Sequence, residues 1–141
     1  MKKIICALAV AVCLAGCAWP AAASEAEEKI FAPHELPGAF AENPDGAKAQ
    51  YMNKTVRIKG VVVDKGMSRY MTAYVELSES GKGPAPAFCV LPYVGIAYWN
   101  RSAQLSDFEQ GQTVTISGRV HSLNENRVLL KESETVEQTR R

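Results

Sequence analysis

Two stretches of this chain repeat one pattern: Val56-Arg57-Ile58-Lys59-Gly60-Val61-Val62 and Val114-Thr115-Ile116-Ser117-Gly118-Arg119-Val120 both read V-x-I-x-G-x-V. A period of two, with Val and Ile on one side and polar residues on the other, makes each a β-strand with one buried face. A glycine in the middle of such a strand marks a bulge or a sharp bend, and small closed barrels need strands that curl in this way. Between the two echoes lie the strand candidates 70–77 and 87–91, separated by the turn Gly81-Lys82-Gly83-Pro84. After the second echo, Leu123-Asn124-Glu125-Asn126 turns into a fifth strand over 127–131. An insert from Tyr93 to Glu109 carries Val94, Ala97, Tyr98, Leu105 and Phe108 at helical spacing, with Ser102 as a candidate cap, and closes at Gly111.

The flanks are different in kind. Lys2-Lys3 precede an apolar run from Ile4 to Ala15, the charged start and short core of an export signal, too short to remain as a spanning helix. Leu14-Ala15-Gly16-Cys17 resembles the bacterial lipobox, which gives a signal over 1–16 and a lipid anchor on Cys17; Ala21-Ala22-Ala23 before Ser24 offers ordinary cleavage, a signal over 1–23 and a soluble product. Both readings stay open. The first implies an outer-membrane lipoprotein facing the periplasm, with Ala18 after the cysteine; the second implies a soluble periplasmic or secreted protein. Residues 17–33 are expected to form a tether, 34–131 the folded domain and 132–141 a flexible tail. Two short helices should open the domain, broken at Asn43-Pro44-Asp45, with Asn43 capping the second, Pro44 in its first turn and Asn53 as a left-handed terminator. Leu36, Phe40, Ala47 and Tyr51 are placed to pack on the domain behind them.

The expected fold is mainly β: a five-stranded OB-fold barrel with an inserted helix between strands 3 and 4 and a short N-terminal helical segment. The sequence resembles the exported bacterial tRNA-anti-like OB-fold family, through N-K-x-V-x-I-x-G-x-V at Asn53 to Val62 and G-x-x-V-x-I-x-G-x-V at Gly111 to Val120. The resemblance covers about residues 34 to 131 and implies a fold and an exported life rather than an RNA ligand.

Chemistry is sparse. His34 and His121 stand apart with no second ligand at metal spacing, Glu76 and Glu79 sit at a strand end and a polar turn, and Gly81-Lys82-Gly83 lacks the Walker spacing. Cys6 and Cys13 leave with the signal, so Cys89 has no thiol partner but Cys17, and its apolar surroundings Ala87 to Leu91 read as packing. The 16 basic residues fall to 14 against 15 acidic ones once Lys2 and Lys3 are removed, which gives no global field toward a polyanion. The reading is therefore a binding or envelope-interaction module with no enzyme activity, cofactor or metal. Its partners would be the membrane, through Cys17, and a protein or polymer of the cell envelope; a soluble periplasmic binder of oligosaccharide, small ligand or nucleic acid is the alternative, with nucleic acid disfavoured by the exported address, and an enzyme whose site the sequence does not display is the third. Strand alternation turns Arg57, Lys59, Tyr70, Tyr74 and Arg119 outward, and these are the candidate ligand-binding residues, since aromatics among cations are what OB-fold faces use.

Overall fold

A computed structural model of the protein describes residues 29–92 and 105–139. Both signal-cleavage alternatives, Cys17 and most of the insert lie outside them. The described elements are β1 (Ile30–Phe31), α1 (Glu35–Glu42), α2 (Pro44–Tyr51), β2 (Thr55–Met67), β3 (Ala73–Ser78), β4 (Ala87–Val90), β5 (Thr113–Leu123) and β6 (Val128–Gln138). The strands join in the order β1-β2-β3-β4-β6-β5, and β5 pairs back onto β2. That closure removes the sheet's open edges and makes β2 to β6 a five-stranded OB-fold barrel, with β1 outside it.

The echo turns out to be a pairing. Ile58 lies opposite Ile116, Val56 opposite Gly118 and Gly60 opposite Val114, so each glycine faces the valine that opens the other motif. Large opposite small on both sides of a central isoleucine pair lets the two strands pack tightly on the interior. Both isoleucines are fully buried. Gly60 also stands where β2 changes partner, for Thr55 to Val61 pair with β5 and Val61 to Met67 with β3. Its φ is not left-handed; what needs a glycine is the close approach, because a Cβ there would lie 2.7 Å from Pro33 Cγ and 3.0 Å from the Ser78 carbonyl oxygen. Gly118 sits in a bulge, with Glu132 and Ser133 of β6 opposite it and Glu132 at φ 54°.

The N-terminal helices form as expected. Asn43 Oδ1 accepts from Gly46 N at 3.0 Å, Pro44 takes the first turn of α2, and Asn53 is left-handed at φ 61°. Leu36 and Ala47 are buried in the core, with Phe40 and Tyr51 packed at its margin.

Three boundaries differ from the sequence expectation. Ile30 and Phe31, assigned to the tether, add a short parallel strand to β2, with Phe31 and Pro33 buried. Residues 70–72 form a turn, so β3 starts at Ala73. Residues 132–138 are not a tail but continue β6, with Thr135 opposite Ile116 and Gln138 opposite Val114. A polar run gave no apolar alternation there, yet a strand needs only a partner's backbone. Of the insert helix, residues 93–104 fall outside the described residues; at its end, 105–106 are helical and Leu105 and Phe108 are buried. Lys65 Nζ donates to the carbonyl oxygens of Leu105, at 2.7 Å, and Phe108, fastening this end to β2. No described helix is long and apolar enough to cross a membrane.

Candidate ligand-binding face

The outward residues of β3 and β4 form two rows that continue across their neighbours. One runs Gly66, Tyr74, Val90; the next runs Asp64, Glu76, Phe88, Leu129, Ser122. Tyr74 and Phe88 stack with ring centroids 4.9 Å apart and planes 20° from parallel. Tyr74 lies across the bare backbone of Gly66, where a Cβ would come within 3.0 Å of its hydroxyl oxygen. On the far side of Phe88 the Arg127 guanidinium stands 5.6 Å from the ring centroid, its Nη1 3.6 Å from Glu76 Oε1. Gly66, Tyr74, Phe88 and Arg127 thus make one stack across the face. Tyr74 Oη donates a long 3.4 Å bond to Asp64 Oδ2; partial burial, with the carboxylates of Asp64 and Glu76, holds its phenol above the ordinary value.

Two turns border the stack. In the β2–β3 turn, Ser68 Oγ accepts from the backbone of Tyr70 and Thr72, Ser68 N donates to Thr72 O at 2.9 Å, and Met71 is left-handed at φ 61°. This fixed turn presents Tyr70, 75% exposed, with the Arg69 guanidinium 4.9 Å over its ring. In the β5–β6 turn, Asn124 Oδ1 accepts from Asn126 N and Arg127 N at 2.9 and 2.8 Å, which aims the chain at Arg127. Between that turn and β4 lies a cleft of about 300 Å³ lined by Phe88, Ser122, Asn124, Arg127 and Leu129.

The structure divides the sequence-derived set of site residues. Tyr70 and Tyr74 belong to the face just described. Arg57, Lys59 and Arg119 lie instead on the β2–β5 side, where Arg57 and Lys59 oppose Ser117 and Thr115. There β6 brings carboxylates alongside: Arg119 Nη2 is 3.3 Å from Glu132 Oε1, Ser117 opposes Glu134 and Thr115 opposes Glu137. Charge alternates on that side and forms no basic stripe, because the stretch read as a tail is a strand of acidic residues. Phe88 and Arg127 were missed. With Cys89 fully buried, alternation along 87–90 turns Phe88 outward, so the signal was present.

The remaining residues singled out in the sequence sit as follows. His34 Nδ1 meets a carboxylate oxygen of Glu79, tying the start of α1 to the β3–β4 turn. Burial pushes the Cys89 thiol up to about 12. Gly81 and Gly83 take φ of 72° and 78° in the hairpin turn, and among the described residues no group of three His, Cys, Asp or Glu could hold a metal ion.

A tRNA_anti-like family model matches residues 1–134. The chain belongs to this family. Among solved structures, this tRNA_anti-like chain is similar to a candidate nucleic acid-binding lipoprotein from Klebsiella pneumoniae, at 22% identity and TM-score 0.58, over 84% of this chain and 99% of that one. It is also similar to part of a candidate aspartyl-tRNA synthetase from Leishmania major Friedlin, at 14% identity and TM-score 0.49, over 81% of this chain and 22% of that one. No curated protein matches the sequence. The likeness to the Klebsiella structure shows the fold.

Proposed function

We propose that this tRNA_anti-like protein is an exported, non-catalytic binding module, held at the outer membrane through Cys17, that takes an anionic polymer on the outer face of β3 and β4. The observation that carries the reading is the stack of Tyr74, Phe88 and Arg127 between two fixed turns, one presenting Tyr70. In an OB-fold the second and third barrel strands, here β3 and β4, and these two turns are where oligonucleotides and oligosaccharides are held. Exposed aromatics beside guanidinium groups suit a flexible chain of rings carrying negative charge. The export signal and Leu14-Ala15-Gly16-Cys17 support the address, and the name of the Klebsiella relative, a nucleic acid-binding lipoprotein, agrees with both address and charge preference.

Titration of the purified protein with fluorescent dT oligonucleotides and acidic oligosaccharides at two salt concentrations tests it. Binding should weaken as salt rises, since released counterions drive part of the association. Tyr70→Ala should cost about 1–3 kcal/mol of binding and leave the melting temperature unchanged, because the side chain is largely in solvent. Absence of salt-sensitive binding, or a Tyr70→Ala protein that binds like the wild type, rejects the reading.

A further inference from the structure

The cleft beside the stack has a composition that narrows the ligand. Its floor is apolar, from Phe88 and Leu129, and its rim is polar, from Ser122, Asn124 and Arg127. Asn124 spends its side-chain oxygen on two backbone N–H groups, so its amide N–H groups are what it offers to the cleft. With the Arg127 fork and the Ser122 hydroxyl, the rim is rich in donors over an apolar surface. Arg127 is the one charged residue among the described residues that line it. The side chains of Arg127 and Glu76 are 46% and 21% exposed at a separation of 3.6 Å. Such a long, open ion pair contributes little, and a guanidinium holding one carboxylate by one nitrogen still has further N–H donors for a second.

We propose that this cleft is a subsite for one acidic sugar residue, its ring carboxylate on Arg127 and its C–H face on Leu129 and the edge of the Phe88 ring, which rests on the reading of the β3–β4 face as the binding surface. The alternative occupant, a nucleotide, fits less well. The Phe88 ring is already stacked on Tyr74 and has the Arg127 guanidinium 5.6 Å from its centroid, so a base would have to displace one of them to stack there, whereas a sugar needs only Leu129 and the ring edge. A phosphate chain asks for cations along its path, whereas this cleft has one, with Glu76 beside it. A single carboxylate on a sugar asks for one bidentate guanidinium. The volume, about 300 Å³, is at the small end of small-molecule sites and suits one ring.

The test compares tetragalacturonic acid with its methyl ester by calorimetric titration, the ester keeping the rings and removing the charge. The wild-type protein should bind the acid at least tenfold more tightly than the ester. Arg127→Gln should erase that preference, Arg127→Lys should keep part of it, and Leu129→Ala should weaken both ligands alike. Equal binding of acid and ester by the wild type overturns the subsite without any variant being needed, as does an Arg127→Gln protein that keeps the preference. A wild-type protein that ignores both uronates but binds dT oligonucleotides in a Tyr70-dependent way overturns the subsite and leaves the face intact; one that binds none of them removes both.

Discussion

Single residues decide how closely the strands of this barrel approach. At Gly60 the nearest neighbours of an added Cβ are a proline ring, a backbone carbonyl and Leu77 Cβ, at 2.7, 3.0 and 3.1 Å, and none is the free end of a flexible side chain. Gly60→Ala should therefore lower stability by about 1–3 kcal/mol through overpacking, seen as an earlier midpoint in urea. Gly118 is tight against a softer neighbour, Ser133 Oγ at 2.7 Å, with Leu130 Cβ at 3.0 Å. That hydroxyl is buried without a hydrogen-bond partner, a state that costs free energy. Ser133→Ala should thus leave the melting temperature unchanged or raise it, and should soften the penalty of Gly118→Ala in the double variant; a Ser133→Ala protein markedly less stable than the wild type would show that the hydroxyl has a use.

At the scale of elements, α2 shows how a cap constrains its neighbour. Asn43 closes the first turn, and a Cβ on Gly46 would fall 2.5 Å from the Asn43 side-chain nitrogen. Asn43→Ala should cost about 1 kcal/mol, and Gly46→Ala should destabilise too, although alanine is the better helix former, because it displaces the cap; thermal melts of both variants check the pair. β4 carries Cys89 inward beside Val75. With its pKa pushed from 9.0 to about 12 by burial, the folded protein keeps the thiol neutral while the unfolded chain ionises it first. The stabilisation is whole below pH 9 and is lost as pH rises toward 12. Wild-type urea midpoints should accordingly fall relative to Cys89→Ala between about pH 8 and about pH 10; parallel behaviour of the two proteins would contradict the burial.

Over the whole molecule, one barrel separates a charge-alternating side, β2 with β5 and β6, from an aromatic side, β3 with β4, and Ile30–Phe31 docks on β2 as β1. If the lipobox reading is right, Cys17→Ala should move the protein from membrane to soluble fractions, while processing after Ala23 in both forms would favour the soluble alternative. The sequence alone determined the barrel, because the core of a strand is written in a local period: V-x-I-x-G-x-V names its inward residues and its bend, while that the two echoes pair with each other came only from the structure. It also determined the helix break at Asn43-Pro44, where capping and the missing proline N–H act within four residues. It could not determine that residues 132–138 form a strand, since those side chains bury almost nothing and the element exists because the β5 backbone accepts it. Nor could it assemble the candidate site. Tyr74, Phe88 and Arg127 come from three segments whose contact depends on strand order around the barrel, and the same order puts Arg57 and Arg119 on the β2–β5 side, where Glu132 of β6 meets Arg119. Which outward side chains meet is a matter of register and closure, fixed only when the sheet is complete.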